Sequence, residues 1–139
     1  NETLQEISKM GVGIAVDDFG MGHSSLVYLR QFPVDVLKLD ASLSKDVLID
    51  PNIAEIIATI TKLCYTLNIK MVVEYVETAP QLEALVKLGA VNIQGYFFSK
   101  PLSDKDLIAY IKKIDTDGLM PDYLPTLAGI YRIATGKNC

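Results

Sequence analysis

Few of the residues that most often announce chemistry are present. The chain has one histidine, His23, and two cysteines among its 139 residues. A Ser-His or Cys-His nucleophile system is therefore not supported, and no nucleophile elbow stands at a strand-to-helix turn. Cys64 falls inside a helical pattern and Cys139 is the last residue, so the two are not a disulfide framework. Reduced, cytoplasmic thiols are the simpler expectation. No apolar run approaches the length of a membrane span. The chain begins Asn1-Glu2-Thr3 without a basic start or an apolar stretch, so no signal peptide is read there, and the lack of an initiator Met is expected of a fragment or a processed chain. A basic excess is also lacking. The net charge of −4 argues against a general binder of nucleic-acid polymers, which needs a basic face. The same charge requires local cations wherever an anionic substrate is to be held.

What is present is the composition of a soluble globular domain, with 50% hydrophobic and 22% charged residues. The length suits one domain and one core. Residues 2–10 read as the end of a helix stopped by Gly11. A first strand is expected at 13–17, a helix at 25–31 closed by Pro33, and a second strand at 36–40. A longer helix is expected at 53–67, from apolar residues at helical spacing. A third strand is read at 70–74, running on to 77. Thr78 and Pro80 open the next helix, a fourth strand lies at 91–94, and Asp104 is the expected N-cap of a last helix through Ile114. Residues 115–139 are turn-rich, with a short helix expected near 127–134. The division is thus 1–114 for the folded domain and 115–139 for a tail. Four strand–helix units in succession make a parallel sheet with right-handed crossovers. Both a small doubly wound sheet and half of an eight-unit barrel fit that order.

The stretch Val16-Asp17-Asp18-Phe19-Gly20-Met21-Gly22-His23-Ser24-Ser25 organises the rest. An apolar, strand-length run stops at two adjacent carboxylates, and two glycines that permit tight-loop backbone angles follow. Ser24 or Ser25 is the expected N-cap of the next helix. Carboxylates held close repel unless one is protonated or a cation sits between them, and oxygen donors of this kind suit Mg²⁺ or Mn²⁺. The alternative is a capping Asp beside a solvated one. The Gly-x-Gly lacks the lysine and the spacing of a phosphate-cradling loop.

The other strand ends repeat the theme with Lys38 and Asp40, Glu74 and Glu77, and Gln94. In a parallel barrel these ends converge on one face. With divalent ions such a cluster becomes a hydrolytic site: two metals about 4 Å apart activate a bridging water and clamp a phosphate. Lys38 then orients that water or stabilises charge on phosphate oxygens, and Gln94 donates to substrate or water. The structural alternatives are an ion pair of Lys38 with Asp40, a helix-dipole role for Glu77, and a backbone contact for Gln94.

Read together, these segments resemble the EAL-type cyclic di-GMP phosphodiesterases. The resemblance rests on the Asp17–Leu26 loop, Leu37-Lys38-Leu39-Asp40, Val72-Val73-Glu74-Tyr75-Val76-Glu77-Thr78, Gln81-Leu82, Leu88-Gly89, and Gln94-Gly95-Tyr96-Phe97-Phe98-Ser99-Lys100-Pro101-Leu102. It implies an α/β fold, the C-terminal half of a TIM-like (β/α) barrel with about four βα units. It also implies two Mg²⁺ or Mn²⁺ ions and hydrolysis of cyclic di-GMP to the linear dinucleotide in bacterial signalling. Asp17 resembles the carboxylate shared by both metals, and Asp18 and Glu74 resemble ligands of the second. Lys38 matches the lysine that contacts the attacking water, so the implied catalytic residues are Lys38 and Glu74. Asp40, Glu77, Gln94 and Ser24 match supporting or substrate-side positions. The loop at 19–25 resembles the segment that couples substrate binding to dimerisation. The expected partners are cyclic di-GMP and either the missing N-terminal half of the barrel or a second copy, as a homodimer. The chain departs from the pattern as well. It has no Glu-Ala-Leu segment and lacks the Asn and Glu of the first metal site. Met21 and His23 replace the usual loop residues, and Tyr75 stands where a small residue, usually Gly, is found. These departures keep open a catalytically inactive domain that senses cyclic di-GMP or binds a protein.

Overall fold

Alternation, rather than a continuous apolar face on both sides, governs the two central strands. In β2 (Val36–Leu39) and β3 (Lys70–Val73), Leu37, Leu39, Met71 and Val73 are buried, while Val36, Lys38 and Val72 are half-buried. Leu37 is in register with Met71 and Leu39 with Val73, so the buried side chains share one face. Helices cover that face: the Thr61 hydroxyl of α4 (Pro51–Leu67) donates to Met71 Sδ at 3.7 Å. The presence of Lys38 in an otherwise apolar strand follows, because its side chain leaves on the opposite, half-open face.

The computed structural model describes residues 2–20 and 26–117. They fall into two compact units, divided between Phe98 and Ser99. In the first unit, α1 (Glu2–Lys9) leads into β1 (Ala15–Phe19) and α2 (Leu26–Gln31). After β2 come α3 (Ala41–Asp46), α4, β3, α5 (Ala79–Lys87) and β4 (Asn92–Ile93). The sheet is parallel throughout, in the order β1-β2-β3-β4. All four C-terminal strand ends therefore lie along one edge of the sheet.

Local chemistry accounts for the helix limits. Asp50 caps α4 through a 2.8 Å bond from the amide of Asn52, with Pro51 in the first turn. The helix stops where Asn68 takes a left-handed conformation, φ 57°, and its amide turns back to the Cys64 and Tyr65 carbonyls. Thr78 and Gln81 form a reciprocal capping box at α5. Ile57, Leu85, Leu37, Leu39, Val73 and Val76 are fully buried, and each contributes about 1.5–3 kcal/mol of transfer free energy.

Four readings of the sequence are corrected. The first strand runs Ala15–Phe19, through the two aspartates rather than up to them, and the third ends at Val73 instead of continuing to Glu77. The short helix α3 was not expected. Asp40, read as a strand end, is its N-cap, accepting from the Ser42 amide at 2.8 Å. In the second unit, α6 (Asp104–Asp117) begins one residue after Ser103, whose hydroxyl contacts the Asp106 carboxylate at 2.6 Å and whose carbonyl accepts from Leu107. Asp104 is thus the first helical residue, not the cap. The helix expected near 127–134 and the Ser24 or Ser25 cap lie outside the described residues.

Candidate metal centre

Two β-bulges build the site. Between β1 and β2, Val16 pairs with Leu37 but Phe19, not Asp18, pairs with Leu39. One residue of β1 is extra, and Asp18 takes it up with φ 52°. Asp tolerates this left-handed region better than most residues do. At the end of β3 the same thing happens. The Gln94 amide donates to the Val73 carbonyl at 2.8 Å, and the Gln94 carbonyl accepts from the Val76 amide at 3.2 Å. A regular parallel ladder would span one residue between those bonds; here it spans Glu74 and Tyr75, and Tyr75 has φ 66°. Bulges re-aim side chains and gather beside functional sites. Neighbours in a flat strand face opposite ways, whereas the bulge brings both Asp17 and Asp18 to the same place.

One carboxylate oxygen each from Asp17, Asp18 and Glu74 lie within 4.8 Å of one another, the one such group among the described residues. Asp17 and Asp18 are exposed and Glu74 is half-buried. Lys38, arriving from β2, spans two of them: its Nζ is 2.7 Å from Glu74 Oε1 and 3.0 Å from Asp17 Oδ1. The alternative pairing of Lys38 with Asp40 does not occur. Hydrogen bonds to Glu74 and then Asp17 hold the Lys38 ammonium above its ordinary pKa. The hydrogen bond from Lys38 in turn holds the Asp17 carboxyl below the usual range, helped by the Asp18 amide at 3.1 Å.

The remaining expected residues are placed differently. The Asp40 carboxylate is engaged at the start of α3, where the Ser42 bonds lower its pKa. Glu77 is exposed and outside the acid group, one residue before the α5 cap; its amide donates to Gln81 Oε1 at 3.0 Å. Gln94 stands exposed just past β4, at the same end of the sheet, with its main chain in the second bulge. Ser24, with Met21 and His23, lies outside the described residues. Sequence reasoning missed Lys45, whose Nζ stands 4.1 Å from the centre of the Tyr75 ring. The signal for α3, and so for Lys45, was Asp40 followed by Leu43 and Val47 at helical spacing. It also gave no weight to Gly95, where a Cβ would come within 2.6 Å of the Val76 carbonyl carbon.

Three clustered carboxylates around an internal cation form a hard-oxygen donor set, which fits a divalent ion such as Mg²⁺, Mn²⁺ or Ca²⁺. Across the chain as a whole, the family model described as the EAL domain matches residues 1–101. The chain belongs to the EAL domain family.

The curated relatives of this EAL chain agree. It is 42% identical over 108 residues to the bifunctional diguanylate cyclase/cyclic di-GMP phosphodiesterase MucR of Pseudomonas aeruginosa, a match taking in 78% of this chain and 16% of MucR. Among solved structures, the PaMucR phosphodiesterase in complex with c-di-GMP gives a TM-score of 0.69 at 42% identity, over 75% of this chain and 42% of that one. Klebsiella pneumoniae BlrP1, solved as a manganese/cy-diGMP complex, gives 0.69 at 36% identity, over 72% of this chain and 26% of that one. The same protein has been solved as a calcium/cy-diGMP complex. The EAL chain thus spans less than half the length of these relatives. Its four-stranded parallel sheet is part of a TIM-barrel-like fold, and the doubly wound alternative falls away.

Proposed function

We infer that this chain is the C-terminal part of a metal-dependent phosphodiesterase domain that hydrolyses cyclic di-GMP to the linear dinucleotide. The observation that carries the inference is the meeting of Asp17, Asp18 and Glu74 within 4.8 Å at one end of the parallel sheet. The family membership and the activity named for MucR support it. Asp17, Asp18 and Glu74 would hold Mg²⁺ or Mn²⁺, which when bound supplies an activated water and neutralises charge on the phosphate.

The chain's own residues divide the remaining work. Lys38 stays protonated, since its two acidic partners raise its pKa, so it acts as a donor and a fixed positive charge rather than as a base. Aimed at a phosphate oxygen or at the attacking water, it offsets charge developing in the transition state. Glu74, held by Lys38 at 2.7 Å, keeps an acceptor beside it. Gln94, exposed at the next strand end, would donate to substrate, Glu77 would support it, and a substrate-side role for Ser24 rests on the family resemblance alone. The Asn and Glu that the resemblance assigns to a first ion are not in this sequence. The chain by itself therefore binds a divalent ion weakly and hydrolyses nothing at a meaningful rate. Mixed with the complementary part of the barrel, it regains turnover. A buried free thiol at Cys64 agrees with a cytoplasmic setting.

The test is the whole protein incubated with cyclic di-GMP and Mg²⁺ or Mn²⁺, with the linear dinucleotide measured. Turnover that is lost in Asp17→Asn supports the inference, and an intact cyclic dinucleotide under both metals defeats it. A second reading, a domain that binds cyclic di-GMP without hydrolysing it, is favoured by one observation: the bulky Tyr75 beside Glu74. Tight binding of cyclic di-GMP by calorimetry, with no product, selects that reading.

A further inference from the structure

Tyr75 breaks the local rules at a position where they matter. It follows Glu74, takes the extra place in the second bulge, and holds φ 66° although it is neither Gly, Asn nor Asp. Burial does not hold it, for the residue is 47% exposed. What touches the ring is Lys45 of α3, with Nζ 4.1 Å from the ring centre, inside the range of a cation–π contact. Lys45 is presented from an anchored element. Asp40 caps α3, Leu43 and Ser44 of that helix are buried, and Gln81 Nε2 of the α5 capping box reaches the Ser44 carbonyl at 3.5 Å.

We propose that Lys45 and Tyr75 form a clamp that sets the direction of Glu74, with Tyr75 a positioning residue for the metal centre and Lys45 its anchor. The proposal rests on the metal reading given above. A bulky residue at positive φ is drawn towards the extended region, and a change of φ at Tyr75 rotates the peptide that joins it to Glu74. The ammonium over the ring opposes that relaxation, so the second bulge keeps the Glu74 carboxylate against Lys38 and beside Asp17 and Asp18. A glycine at position 75 would take the same backbone angle freely but would leave the bulge unclamped.

The test is Mn²⁺ titration of the whole protein that carries this chain, read by the electron paramagnetic resonance of free Mn²⁺, with urea unfolding of each variant alongside. Lys45→Ala and Tyr75→Gly are each expected to weaken Mn²⁺ binding about tenfold, the range seen when outer partners of metal ligands are removed. Lys45→Arg, which keeps a cation for the ring, is expected to stay within about twofold. The double variant is expected to be no weaker than either single one, because the two residues act as a unit. Tyr75→Gly is expected to keep its unfolding midpoint or raise it, so weakened binding there is not lost folding. Binding by Lys45→Ala or Tyr75→Gly within twofold of the unmutated protein overturns the clamp, as do single effects that simply multiply. An unmutated protein that takes up no Mn²⁺, or an Asp17→Asn variant that binds as well, overturns the metal reading and the clamp with it. The titration of the unmutated protein tells the two failures apart.

Discussion

The ammonium of Lys38 in β2 lies 2.7 Å from the Glu74 carboxylate at the end of β3, and the same nitrogen reaches Asp17 of β1 at 3.0 Å. One side chain thus ties three neighbouring strands together where their acids crowd. Removing the cation should leave the carboxylates repelling one another. Lys38→Met is expected to lower stability by about 1–2 kcal/mol in metal-free buffer, the range for a charge-assisted contact that is partly shielded from water. Part of the loss should return when Mn²⁺ is added. Urea midpoints with and without the ion check this, and a variant as stable as its parent in chelator would contradict it.

Divalent ions themselves should stabilise the fold. An ion that binds only the folded chain, present at a hundred times its dissociation constant, adds about 2.7 kcal/mol. The unfolding temperature is expected to rise with Mn²⁺ and to fall back with chelator. Asp18→Asn should abolish the rise, since Asp18 is one of the three converging acids. An equal rise in that variant would move the ion elsewhere.

Asp40 links stability to pH through α3. Its folded pKa is lowered, first by hydrogen bonding to Ser42, below the unfolded value of about 3.9. A depressed folded pKa means that the capping contribution is complete above about pH 4 and fades as the pH falls through the folded value. Asp40→Ala is expected to lose about 1 kcal/mol at neutral pH. The gap between variant and parent should close on acidification towards pH 2, as followed by urea midpoints across that range. A gap that widens in acid would mean that folding raises the Asp40 pKa instead of lowering it.

Gly95 holds the junction of β3 and β4. A Cβ there would overlap the backbone of Val76, whose amide and carbonyl are bonded to Gln94 and Phe97. Gly95→Ala is expected to destabilise the chain by about 3 kcal/mol or more, because a backbone contact cannot swing aside as a side chain can. A loss below about 0.5 kcal/mol in urea unfolding would show that the two strands part easily.

Much of this was legible along the chain. Apolar spacing marked α4, the Thr78–Gln81 pair marked the start of α5, and the order of strand–helix units marked a parallel sheet. Polar residues at strand ends marked the edge where Asp17, Lys38 and Glu74 meet. The misses have a common cause. β1 runs on through Asp17 and Asp18 and β3 stops before Glu74 because hydrogen bonds to the neighbouring strand decide pairing, and those partners lie about twenty residues away. Asp40 looked like one more strand-end acid, which hid α3 and with it Lys45 under the Tyr75 ring.

The sequence alone determined which residues carry charge, how often apolar residues recur, and where helices can be capped, because these depend on side-chain chemistry and on neighbours within a turn or two. Only the tertiary structure decided that Asp18 and Tyr75 take left-handed backbone angles and that Lys38 chooses Asp17 and Glu74 over Asp40. The reason is register. One extra residue in each of two strands turns neighbouring acids towards the same point, and no pattern within a single strand specifies the ladder into which that residue must fit.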